Sequence, residues 1–99
     1  MIAHLVVFTF RIDAAPALAR DFAAELTGMK ERLSDVLMEY RHGPALRLRV
    51  PSGDYGVFAV VLDAGALRAY LDDAGHRAIT ARYTRSLFHE RRAVQFSLG

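Results

Sequence analysis

The chain has 99 residues, 53% of them hydrophobic and 24% charged, with a formal net charge of +2 and no cysteine. That is enough for one domain with a core and too little for two, and the apolar content excludes a disordered chain. Without cysteine there are no disulfides or thiolate metal sites, and a reducing, cytoplasmic setting is expected.

The opening "MIAHLVVFTF" is apolar but lacks a positive leader and a small-residue cleavage site, and it is too short to span a bilayer. It reads as a strand over residues 2–11, with no membrane partner. Ile2, His4, Val6, Phe8 and Phe10 fall on one face; Ala3, Leu5, Val7 and Thr9 fall on the other. Asp13 is a candidate helix cap, and Pro16 is tolerated in a first turn. Leu18, Phe22, Leu26, Met29 and Leu33 then recur at helical spacing, which predicts an amphipathic helix over 14–33.

"VLMEYRH" (36–42) alternates as a second strand, with Val36, Met38, Tyr40 and His42 on one side. "RHGPALRLR" holds Arg41, Arg47 and Arg49 without interleaved aromatics, so it reads as a solvated loop and not as a nucleic-acid stripe. "YGVFAVVL" (55–62) is a third strand, apolar on both faces. Asp63 can cap a short helix carrying Leu67, Tyr70 and Leu71. After Gly75 a further helix puts His76, Ile79, Tyr83 and Leu87 on one stripe, and "RRAVQFSL" closes the chain as a strand.

This order predicts an α+β ferredoxin-like sandwich (βαββαβ), a single domain over 1–99 with helices on one face of an antiparallel sheet. Helices cover only one face, while the first and third strands are apolar on both. A homodimer with sheets packed face to face is therefore expected.

Tyr70 and His76 are the polar rings aimed inward from the helical segments. A histidine near a helix N-terminus tends to stay neutral and able to accept a proton, and a buried phenol can polarise a carbonyl. The pair suits proton abstraction beside a carbonyl; it equally suits a brace at the helix corner. His42 and His89 read as loop or surface histidines. The four histidines are scattered, with no HxH or HExxH spacing, and no GxGxxG, P-loop or GxSxG motif occurs. No metal is expected.

"AHLVVFTF", "YGVFAVVLD", "LRAYLDDAGHRAI" and "RRAVQF", in that order and spacing, resemble the stress-responsive A/B barrel (Dabb) family of the dimeric α+β barrel superfamily. The resemblance spans nearly the whole chain. It implies dimerisation through the sheets and a pocket between sheet and helices, with none of the chemistry needing a cofactor. One plant member of the family is a polyketide cyclase that closes a ring by an intramolecular aldol reaction. Its Tyr-x-x-His-Pro-x-His run falls here on Tyr70 to His76, and its first-strand pocket histidine on His4. By this resemblance His76 would be the general base, Tyr70 the donor to the carbonyl, and His4, Val6, Phe8, Phe22, Ile79 and Tyr83 the lining of a site for a small apolar or polyketide-like ligand. The run departs from the family at Asp73 and Ala74, and Gln95 stands where an aspartate is common, which removes one orienter of the histidine. A non-catalytic ligand-binding dimer and a cofactor-independent monooxygenase are the alternative readings.

Overall fold

β1 (Ile2–Phe10) lies inside a four-stranded antiparallel sheet of order β2-β3-β1-β4, in a computed structural model that describes all of residues 1–99. The other strands are β2 (Glu39–Pro44), β3 (Tyr55–Val61) and β4 (Phe88–Ser97), and α1 (Pro16–Arg32), α2 (Ala64–Leu71) and α3 (Ala74–Thr84) cover one face. This is the ferredoxin-like α+β fold, with α2 and α3 together in the place of the second helix.

Register decides which side of each strand meets the helices. His4 pairs with Ala59 and Gln95, and Phe8 with Tyr55 and Arg91, so these residues share a face. Phe8, Tyr55, Val57, Ala59 and Val61 pack with Phe22, Leu26 and Met29 of α1 in one core. Phe22 is the hub: its ring meets Phe8, Tyr55, Tyr83 and Phe88 at centroid distances of 5.1–5.5 Å, in edge-to-face geometry. On the opposite face Val7, Val94 and Phe96 remain 45–53% exposed.

Three expectations need correction. Asp13 does not cap α1. Pro16 takes the first helical position, which makes Ala15 the cap residue with no side-chain acceptor, and Asp13 pairs with Arg11 at 3.1 Å instead. β2 starts at Glu39 and not at Val36, because Val36 and Leu37 both donate to the Leu33 carbonyl in the turn that ends α1. Met38 is consequently exposed while Tyr40 is buried. α3 ends at Thr84, so Leu87 reaches the core from the following turn.

The loop between β2 and β3 folds back on β1. The Phe10 amide donates to the Asp54 carboxylate at 2.6 Å, and the Asp54 amide to the Phe8 carbonyl at 2.8 Å. A Cβ at Gly53 would run into the Val7 side chain, so any larger residue requires that side chain to move. Arg41 and Arg47 hold Glu39 and Asp54 respectively. No helix is long and apolar enough to cross a membrane.

Candidate active site

The corner between α2 and α3 is built by Asp73. Its carboxylate accepts the His76 amide at 2.8 Å as the N-cap of α3, and both its oxygens hold the Arg32 guanidinium of α1 at 3.0 and 2.7 Å. The Arg32 hydrogen bonds, followed by the His76 amide, lower the Asp73 carboxyl to about 2. Asp73 thus makes the corner both capped and ion-paired.

That corner sets His76 against Tyr70, with ring centroids 4.6 Å apart and planes 32° from parallel. The His4 ring meets Tyr70 edge-on at 5.8 Å. All three line a cleft of about 930 Å³ between the sheet and the helices. Val6, Phe8, Phe22 and Ile79 line it as well, so the elements bring these expected residues to one place. Tyr83 is the exception. Its hydroxyl donates to Glu25, its ring packs on Phe22, and it faces α1 and not the cleft. Helical spacing put it on the inward stripe, but α1 meets that stripe before the cleft begins.

The hydrogen-bond partners assign the protons. A carbonyl only accepts, so the Leu71 carbonyl at 3.4 Å places the His76 proton on Nδ1 and leaves Nε2 with its lone pair. The Gln95 amide nitrogen lies 2.7 Å from His4 Nδ1 and donates to it, so the His4 proton sits on Nε2. Burial pushes the His76 imidazole below its ordinary range; nearby Arg91 and Arg32 add to this, against the Leu71 carbonyl and Asp73. His4 is lowered by burial and then by His76. Burial raises the Tyr70 phenol. At neutral pH the cleft therefore holds one imidazole able to take a proton, beside one imidazole and one phenol able to donate hydrogen bonds.

Sequence reasoning missed the roles of two residues of the site. Tyr40 of β2 lines the cleft floor, 2% exposed, and its hydroxyl is sealed with the Tyr70 phenol as its one polar neighbour. Burial, with Tyr70 beside it, pushes that phenol far up. Gln95 read as the loss of an orienter, yet it orients a different histidine, His4. His42 was expected at the surface and is instead a half-buried strand residue. Thr27 spends its hydroxyl proton on the Ala23 carbonyl at 3.1 Å, so it accepts from His42 Nε2, and His42 Nδ1 accepts from Tyr55 at 2.7 Å. No group of three or more His, Cys, Asp or Glu side chains is placed to hold a metal ion.

No protein-family model matches the sequence, and no curated protein does. Solved structures do match. A dimeric ferredoxin-like protein of unknown function from Thermobifida fusca is 28% identical with a TM-score of 0.84, over 98% of this chain and 90% of that one. A Dabb family protein from Mesorhizobium loti with a ferredoxin-like fold superimposes with a TM-score of 0.73 at 20% identity, over 99% and 97% of the two chains. The fold is that of a Dabb protein. A hydroxynitrile lyase from Passiflora edulis shares this Dabb-like fold at 8% identity and a TM-score of 0.81, over 99% of this chain and 93% of that one.

Proposed function

We propose that this chain is a Dabb-family homodimer that catalyses, without a cofactor, proton abstraction beside a carbonyl in an apolar, polyketide-like substrate, as in aldol-type ring closure. The observation that carries the reading is the His76 ring, with Nε2 in no hydrogen bond, set against the Tyr70 ring in a mostly apolar cleft. His76 Nε2 takes the proton from the carbon next to the carbonyl. The bonding pair moves to the carbonyl oxygen, where Tyr70 O–H and His4 Nε2–H stabilise the enolate. The enolate carbon then attacks a second carbonyl of the same chain, and the new alkoxide recovers the proton from His76. Apolar walls contribute by holding the flexible chain folded for attack. The occurrence of the fold in a hydroxynitrile lyase supports its capacity to carry an enzyme.

The partner in the dimer would cover the open sheet face. Besides Val7, Val94 and Phe96, the loop after β2 presents Leu46, Leu48 and Val50 at 80–91% exposure, and the Thermobifida neighbour is described as dimeric.

Deuterium incorporation at the carbon between the carbonyls of an aryl β-diketone, followed by NMR in D2O, tests the chemistry. Exchange above the buffer rate is expected, saturable in the diketone. Exchange at the buffer rate across aryl and alkyl diketones would exclude His76 as a carbon base.

A further inference from the structure

We propose that the ligand of this cleft is an acid: an apolar carbonyl compound whose carboxylate is bound by Arg77 and Arg91. This rests on the cleft being the substrate site. Six of the twelve arginines already hold a carboxylate: Arg11 with Asp13, Arg32 with Asp73, Arg41 with Glu39, Arg47 with Asp54, Arg82 with Glu25 and Arg92 with Glu90. Arg77 and Arg91 hold none, and both line the cleft, from α3 and β4 respectively.

Strand alternation separates Arg91 from its neighbour. Arg92 pairs with Val7 on the open face, whereas Arg91 pairs with Phe8 and so stands on the helix face beside the site. Arg77 follows His76 directly in α3. The remaining charged group in the lining is Asp72, which is in no ion pair, so two cations face one anion around otherwise largely apolar walls. A guanidinium suits a carboxylate because its fork donates two parallel N–H bonds, and such charge-assisted bonds are strengthened beside apolar surface. The placement also couples binding to chemistry. Arg91 disfavours a proton on His76, and a carboxylate seated on Arg91 offsets that repulsion as the base is called on to take one.

Isothermal titration calorimetry with 2-naphthoate and 2-naphthamide at low ionic strength tests this, because the two probes share a ring and differ in charge. Naphthoate is expected to bind about tenfold more tightly. Arg77→Gln and Arg91→Gln should each shrink the preference, the double variant should erase it, and Asp72→Asn should widen it. Equal affinity for both probes, a preference that survives the double variant, or binding of neither at millimolar concentration would overturn the proposal. The His76→Ala variant separates the two readings. If it keeps the preference while no diketone exchange is found in the wild type, the acid site stands and the catalytic reading falls. If exchange is intact and no preference exists, the acid site alone falls.

Discussion

Tyr40 and the two cleft imidazoles show how single residues are set by their surroundings. A sealed hydroxyl whose one polar neighbour is another phenol costs stability, because it has given up water for little in return. Tyr40→Phe keeps the ring contact with Tyr70 and removes only that hydroxyl. It is expected to stabilise the protein by about 1 kcal/mol in urea unfolding, and a loss of stability would mean the hydroxyl is satisfied. His4 and His76 have folded-state pKa values lowered below 6.5, chiefly by burial. Between those values and 6.5 the unfolded chain binds more protons than the folded one, so their contribution is complete above 6.5 and is lost as pH falls toward the folded values. Carbon-detected NMR should therefore show both rings titrating below 6.5, with the melting temperature falling from pH 7 to 5. An imidazole titrating above 6.5 would contradict the neutral pair on which the chemistry depends.

The corner at Asp73 makes the same point at the scale of elements, since one side chain caps α3 and ties it to α1. Asp73→Asn keeps an acceptor for the His76 amide and loses the ion pair; Asp73→Ala loses both. Urea unfolding is expected to rank the wild type above Asn and Asn above Ala, with His76 NMR shifts moving most in the alanine variant. Equal stability of all three would show that the corner is held by packing alone. Much of this level was legible beforehand. Short apolar runs rich in Val and Phe marked β1 and β3, helical spacing marked α1, and Asp63 caps α2 through the Ala66 amide at 2.9 Å as expected. What failed were boundaries and directions that depend on a neighbour. Asp13 had cap chemistry but the wrong position relative to Pro16, and Val36 had strand chemistry inside a turn. Tyr83 had the inward phase of α3, but α1 and Glu25 occupy that direction. Periodicity could split β1 into two faces; only pairing with β3 and β4 shows that the His4 face is the one under the helices.

For the whole molecule, one covered and one open sheet face is the main consequence of the sequence pattern. Light scattering near micromolar concentration is expected to show a dimer. Val94→Glu on the open face should shift it toward monomer without altering the cleft, whereas a wild-type monomer would remove the case built on two-faced strands. The functional reading was only partly legible, because the residues that assign its protons, Gln95 and the Leu71 carbonyl, come to the rings through tertiary contacts. The most direct test of the cleft as an acid–base site measures melting temperature and diketone exchange on the same two variants. A catalytic His76 predicts that His76→Ala folds with a near-unchanged melting temperature and exchanges at the buffer rate, and that Tyr70→Phe loses about a hundredfold in rate with its packing intact. If His76→Ala melts early yet exchanges at the wild-type rate, the ring is a brace at the helix corner and the base lies elsewhere.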